Sequence, residues 1–305
     1  MILCCGESLI DMLPRDLTDG GAGFAPHVGG AVFNTAIALG RLGAPVGLFS
    51  GVSRDLFGAM LADALTASKV ETAALARSDR PTTLAFVTLT DGQARYAFYD
   101  EGTAGRMLTE GDLPQTAADA YFFGGISLVS EPCGSVYEAL MAREAPRAVT
   151  MIDPNIRPSF IADEPAYRAR IDRMLALADI VKLSDEDLHW LMGDGTTEAH
   201  ANTLLSRGPK LVCITEGADG VTGYSGAHRI HVPAPSVTVA DTVGAGDTFN
   251  AGLLAALHDV GALTKSRIAA LSESDITNAL ALGAQTAAIT VSRAGANPPW
   301  RTELT

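Results

Sequence analysis

The strongest constraint on this chain is a change of hydrophobic period that recurs along its second half. Short apolar runs at 121–123, 149–153, 180–183 and 210–215 alternate with longer stretches at 136–143, 166–178, 185–192 and 198–206, and further strands reach Val232. Apolar runs this short read as buried strands, and the longer stretches carry the spacing of helices lying across them. Strands separated by helices imply a parallel sheet covered on both faces. The expected fold class is therefore α/β, a doubly wound, mostly parallel sheet sandwiched by helices. Such a sheet binds ligands at the carboxyl ends of its strands. Asp153-Pro154-Asn155, Ser184, Thr215 and the loop Asp241–Asp247 should share that edge.

The first half opens in the same way. Met1–Cys5 reads as a strand, and Gly29-Gly30 opens a helix whose apolar positions are Val32, Phe33, Ala36, Ile37 and Leu39, stopping near Gly43. A strand is expected over Val46–Val52 and a helix over Ala59–Ser68. Two segments break the alternation. Between Leu9 and Val28 the chain turns repeatedly at Pro14, Gly20, Gly21 and Gly23. Thr83–Thr90 and Gln93–Tyr99 alternate with period two around Asp91-Gly92, the signature of a two-residue hairpin turn. These segments, about 9–28 and 82–103, are expected to pair as a small β-sheet inserted into one domain spanning 1–305.

Composition narrows the partners. With 305 residues, 47% of them hydrophobic, the chain can bury a large core. A formal charge of −13 disfavours nucleic acid and anionic membrane as partners. The uncharged stretches Gly20–Gly40 and Ile276–Ser292 are interrupted by glycines and polar residues, so no membrane span is expected. The N-terminal run lacks a basic leader, and Cys4, Cys5, Cys133 and Cys213 have no metal-ligand spacing; a cytoplasmic protein with reduced, buried thiols is expected. The histidines are scattered without a His-Glu-x-x-His pair, and Gly125-Ile126-Ser127-Leu128-Val129 is one glycine short of a nucleophile elbow.

Asp241-Thr242-Val243-Gly244-Ala245-Gly246-Asp247-Thr248-Phe249-Asn250 carries the most chemistry. Small residues run straight into a carboxylate and then into the apolar positions Phe249, Leu253, Ala256 and Leu257, which describes a loop delivered onto a helix start. Unpaired backbone N–H groups and the helix dipole make such a start an anion cup, and glycine lets a phosphate reach the main chain. An ordinary aspartate is ionised at neutral pH and can accept a hydroxyl proton, the reading given to Asp247. A plain glycine-rich turn capping a helix accounts for the same residues. The dinucleotide fingerprint is excluded because Phe249 occupies the third glycine position, and no Gly-Lys-Ser/Thr marks a P-loop.

This stretch, matched through Leu254, resembles the second signature of the PfkB, or ribokinase-like, family of carbohydrate kinases. Gly29-Gly30-Ala31-Val32-Phe33-Asn34, with Gly40 and Gly43, resembles the first signature, departing from it at Val32 and Ser53. The resemblance covers the chain from Gly6-Glu7 to Ala296 and implies transfer of the γ-phosphate of ATP to a sugar hydroxyl. Asp247 would be the base, with the amides of Gly244, Ala245 and Gly246 as the anion hole. The sugar would be held by Asp11, Gly29, Gly30, Asn34, Phe98 and Arg157. The nucleotide would meet Asn155, Ser184, Thr215, Gly217, Gly220 and Asn278. Magnesium would be contacted indirectly through Asp187, and potassium through the carbonyls of Asp241, Val243, Arg293 and Gly295. Lys182–Asp187 departs from the usual Asn-x-x-Glu, reading Ser184 and Asp187 instead.

Several of these residues have plainer explanations: Asp11 as an exposed strand carboxylate, Arg157 as a surface turn residue, Asp187 as a first-turn acid facing a helix dipole. Within the family, Asp153–Pro158, Lys182–Asp187 and Ala97-Phe98-Tyr99 resemble bacterial fructokinases most. Asp100 stands where 2-keto-3-deoxygluconate kinases usually carry an arginine, which disfavours a sugar acid. Ribose or nucleoside acceptors remain alternatives, as does a non-catalytic sugar or nucleotide sensor. The resemblance also implies that the β insertion acts as a lid and pairs edge to edge in a homodimer.

Overall fold

The computed structural model describes residues 1–16, 20–90 and 93–304, with the backbone alone over 88–90 and 93–96. The chain begins β1 (Ile2–Cys5), β2 (Leu9–Asp16), β3 (Ala22–Gly29), α1 (Ala31–Arg41), β4 (Val46–Phe49), β5 (Gly51–Ser53) and α2 (Leu56–Ala67). It continues β6 (Ala76–Ser78), β7 (Leu84–Thr90), β8 (Gln93–Tyr99), β9 (Ala120–Gly124), α3 (Cys133–Glu144), β10 (Val149–Asp153) and α4 (Glu164–Leu177). The remainder is β11 (Ile180–Ser184), α5 (Asp185–Met192), α6 (Thr197–Ser206), β12 (Leu211–Thr215), β13 (Val221–Tyr224), β14 (Arg229–Val232), α7 (Ala245–Asp259), α8 (Lys265–Ile268) and α9 (Glu273–Val291).

The main sheet has the order β14-β13-β12-β11-β10-β9-β1-β4. All of its pairings from β12 to β4 are parallel, and β13 and β14 are added antiparallel at one edge. Alternation of side chains sorts each strand between two cores. Ile2 and Cys4 of β1, Phe122 of β9 and Cys213 of β12 join the layer containing α1, α7 and α9. Leu3 and Cys5, Phe123 and Ile214 join the layer containing α3, α4 and α6. Both faces are therefore sealed by apolar contact, as the strand–helix alternation implied. Because the strands are parallel, β1, β9, β10, β11 and β12 all end at one edge, at Cys5, Gly124, Asp153, Ser184 and Thr215.

A separate four-stranded sheet has the order β3-β2-β7-β8. It forms from the two segments that broke the alternation, through the parallel pairing of Ile10–Met12 with Leu84–Phe86. The predicted hairpin turn at Asp91-Gly92 lies outside the described residues, while β7 and β8 on either side pair antiparallel from Leu84↔Tyr99 to Thr90↔Gln93.

The expected strand over Val46–Val52 is divided. β4 stays in the main sheet, whereas β5 leaves it to pair with β6 in a two-stranded sheet. The break falls at Ser50, fully buried, with its hydroxyl 3.0 Å from that of Ser8. Gly51 follows because any Cβ there would collide with the Ala104 carbonyl. Among the described residues, no helix is long and apolar enough to cross a membrane.

Candidate active site

The site is assembled where the first and last thirds of the chain meet. Gly244, at φ 79°, turns the backbone into the left-handed region and caps α7, so Asp247 enters in its first turn. A side chain at 244 would also strike Ala296. Asp247 is 8% exposed, and its Oδ2 accepts from Asn34 Nδ2 at 2.9 Å. The neighbouring Thr35 hydroxyl lies 3.0 Å from the Asp247 carbonyl. The two glycine-rich stretches, far apart in sequence, are thus bound to each other through α1 and α7.

Burial pushes the Asp247 carboxyl up to about 7; the Asn34 hydrogen bond opposes this and Asp153 adds to it. An ordinary aspartate is fully ionised at neutral pH, and burial moves Asp247 away from that range. The reason is geometric: helix packing dries the group, and only tertiary structure can do that. Asp11 on β2 is also partly enclosed, and burial raises it to about 6. It fits because Gly29, which pairs with Leu9 two residues along the ladder, has no side chain; a Cβ there would run into the Asp11 carboxylate.

Sequence reasoning passed over Glu7. Its buried carboxylate accepts from Ala31 N–H at 2.9 Å and Ser127 N–H at 3.2 Å, so it ties the start of α1 to the chain beyond β9. Burial raises its pKa. Side chains at Gly30 or Gly125 would crowd it. The only signal for such a role was its place immediately after a buried strand.

Behind Asp247 lies a polar cluster at the ends of β10 and β11. Asp153, 2% exposed, accepts at Oδ2 from Lys182 Nζ at 3.0 Å and from Asn250 Nδ2 at 2.7 Å. Its Oδ1 accepts from the Asn155 N–H at 3.2 Å, with Asn155 at φ 47°. Asp187 is buried and accepts at Oδ1 from Ile156 N–H at 3.1 Å. Burial and then Asp153 raise its pKa, with Lys182 opposing. The Ser184 hydroxyl caps α5 by accepting from the Asp187 N–H at 3.0 Å. Arg157 is exposed and bonds the Ile156 carbonyl. Lys182 and Asn250 had not been singled out, though a lysine inside Ile180–Leu183 was the visible anomaly.

A cavity of about 620 Å³ lies beside the α7 start, lined by Thr215, Gly217, Gly220, Ala245, Gly246 and Phe249 and walled by Ala284, Ala287, Ala288 and Val291 of α9. Asn278 is exposed on α9 and does not line it. At 1.5 Å per residue, the six residues between Asn278 and Ala284 put it roughly 9 Å along the axis, a displacement that residue type alone could not reveal. Asp241 accepts from Val243 N–H at 3.0 Å and from Gly295 N–H at 2.9 Å, which brings together both loops named for a monovalent cation. The Arg293 side chain is engaged by Glu303 at 2.6 Å. Phe98 packs edge-on against Phe160, 4.6 Å between centroids, and lines a second cavity of about 420 Å³.

A buried carboxylate in the first turn of a glycine-led helix, beside a largely apolar cavity, is an arrangement that suits phosphoryl transfer, where positioning and electrostatics carry the catalysis. The chain matches the pfkB family carbohydrate kinase pattern over residues 1–303. It is 56% identical to a fructokinase of Rhizobium leguminosarum bv. trifolii over 280 residues, covering 91% of this chain and 86% of that one. It is 33% identical to a probable fructokinase-7 of Arabidopsis thaliana over 314 residues, covering 98% and 89%. A fructokinase from Xylella fastidiosa with bound ATP superposes with a TM-score of 0.89 at 30% identity, covering 97% and 93%. A fructokinase double mutant from Vibrio cholerae O395, in fructose-, ADP- and potassium-bound form, does so at 0.84 with 25% identity, covering 97% and 93%. With the buried Asp247 carboxylate, the glycine-turned helix start and this whole-length likeness in hand, the chain belongs to the pfkB family of carbohydrate kinases.

Proposed function

We propose that the chain is an ATP-dependent fructokinase that transfers the γ-phosphoryl group to a sugar hydroxyl. The observation that carries this reading is the Asn34–Asp247 hydrogen bond, which unites a polar sugar-facing helix start with a base at an anion-binding helix start. The likeness to curated fructokinases, at 56% identity for the bacterial one, supports fructose over other acceptors.

Asp247 in its ionised form takes the proton of the acceptor hydroxyl as that oxygen forms a bond to the γ-phosphorus. The bond from phosphorus to the β–γ bridging oxygen breaks, leaving ADP and a protonated Asp247. The amides of Gly244 and Gly246 face the transferred anion with the α7 dipole behind them, while the Ala245 N–H, assigned to the same hole from the sequence, donates to the Thr242 carbonyl at 3.3 Å. Asp11, Asn34 and the backbone at Gly29-Gly30 hold the sugar, with Phe98 and Arg157 closing around it. Thr215, Gly217 and Gly220 border the nucleotide cavity, whose α9 wall replaces the contact assigned to Asn278.

Magnesium suits Asp187: two buried carboxylates, Asp153 and Asp187, crowd each other, and a hard cation takes oxygen ligands from one or two carboxylates and from phosphates. When bound it neutralises charge on the phosphates. Potassium suits the joined loops 241–243 and 293–295 and is supported by the potassium-bound relative.

The four-stranded sheet acts as a lid excluding water, since it brings Asp11 on β2 and Phe98 on β8. Its aromatic row, the exposed Phe24 and Tyr99 flanking the half-buried Phe86 with centroid separations of 5.0 and 5.4 Å, is the homodimer contact. Phe24→Glu combined with Tyr99→Glu is expected to convert a dimer to monomer in sedimentation velocity; a wild-type chain that sediments as a monomer rules the contact out.

ADP release measured across fructose, ribose, 2-keto-3-deoxygluconate and nucleosides should be greatest with fructose, and fructose no better than the blank would refute the assignment. Asp247→Asn should lower turnover on the order of 10²–10⁴-fold while retaining sugar binding. Because the folded carboxyl is raised to about 7 above its unfolded value, it contributes stability below the unfolded pKa that is lost as pH rises through about 7. Melting curves of Asp247→Asn should therefore exceed wild type at pH 8 and converge toward it near pH 5, and wild-type kcat/KM should climb with pH through about 7. Asn278→Ala should leave the KM for ATP within about twofold, whereas Ala287→Phe, which fills the cavity, should raise it about tenfold.

A further inference from the structure

Lys182 is a charge in a strand otherwise built of core residues. Ile180, Val181 and Leu183 are fully buried, and Lys182 itself is 2% exposed. A lysine so enclosed is tolerated only when paired. Its Nζ donates to Asp153 Oδ2 at 3.0 Å, an oxygen that also accepts from Asn250 Nδ2 at 2.7 Å. The ammonium also reaches the start of α7, where a Cβ at Gly246 would come within 3.1 Å of it. It therefore lies directly beneath the backbone whose amides face the anion.

The charged groups around it come from three elements: Asp153 from β10, Asp187 from α5 and Asp247 from α7. Burial would lower the lysine pKa, but these carboxylates outweigh it and hold the group charged. Asp247 is faced in turn by Asn34, Asp153, Lys182 and Glu7, and Arg157 adds positive charge beside Asp187. Among these groups, Lys182 is the buried cation set among three carboxylates in a dry site. Ionising Asp247 and admitting a phosphate both add negative charge to the same place, so the lysine offsets both at once.

We propose that Lys182 is a positioning residue for phosphoryl transfer, the internal countercharge that anchors Asp153 and, from beneath Gly246, keeps the site receptive to an ionised Asp247 and an arriving phosphate. The proposal rests on the transfer chemistry above, and its test is independent of which sugar is used. Full-length chain labelled with ¹³C at aspartate carboxyls is titrated by NMR without ligand, the Asp247 resonance being the one missing from Asp247→Asn. Lys182→Gln keeps a donor for Asp153 without the charge, and Lys182→Met keeps the length without either.

In the folded variants the Asp247 midpoint should move up by about one pH unit. Affinity for ATP should fall about tenfold while affinity for adenosine stays within about twofold. An unchanged midpoint in a folded variant overturns the proposal. So does loss of the fold in both variants, which would make the lysine a purely structural ion pair. If the wild type fails to phosphorylate fructose, the acceptor assignment falls while the titration still reads the role of Lys182.

Discussion

The geometry of the site depends on one buried hydrogen bond, from Asn34 Nδ2 to Asp247 Oδ2 at 2.9 Å. It joins α1 to α7, with the Thr35 hydroxyl reinforcing it at the Asp247 carbonyl. Neither helix could present its start correctly alone. Gly30 at φ 109° and Gly244 at φ 79° each bend the chain sharply into the start of its helix. Glu7 fixes the first of these starts by accepting from Ala31 N–H, and Asp241 ties the loop before the second to Gly295.

The same packing that aligns these groups also dries them. Asp247, Asp153, Asp187 and Lys182 all lie below a tenth exposure. In such a setting charges interact strongly, and each must find a partner. Asp153 does so with Lys182 and Asn250; Asp247 has a neutral donor, Asn34, and burial holds its carboxyl up at about 7. A base poised near neutrality can both take and release a proton during turnover, whereas a fully hydrated aspartate is too weak a base to do so efficiently. The glycines at 29, 125 and 246 serve the same end, since side chains there would displace Asp11, Glu7 or the Lys182 ammonium.

Much of this was legible in the residues. Periodicity gave the parallel sheet and its separate β insertion, because a half-buried or fully buried strand and an amphipathic helix impose different spacings. The glycine–aspartate stretch marked a helix start that can hold an anion, because only backbone amides and small residues permit it. The failures also have physical causes. Val46–Val52 reads as one strand, yet it divides at Ser50, whose buried hydroxyl lies 3.0 Å from that of Ser8, a partner distant in sequence. Asn278 has a plausible residue type but is exposed and stands outside the cavity lining to which Ala284 and Ala287 belong. Glu7, Lys182 and Asn250 lie within or beside the motifs quoted from the sequence, yet nothing local showed that their side chains would be buried against distant partners.

What the sequence by itself determined was local: which segments pair, where helices begin, and which carboxylate follows an anion-binding turn. Those depend on neighbouring side chains and on backbone preferences, which any short window contains. What only the tertiary structure decided was the burial that raises the Asp247 pKa, the pairing of Asp153 with Lys182 and the wall of the cavity beside the α7 start. These depend on how much water the packed helices exclude and on which distant charges they bring together, and neither quantity exists until the chain has closed on itself.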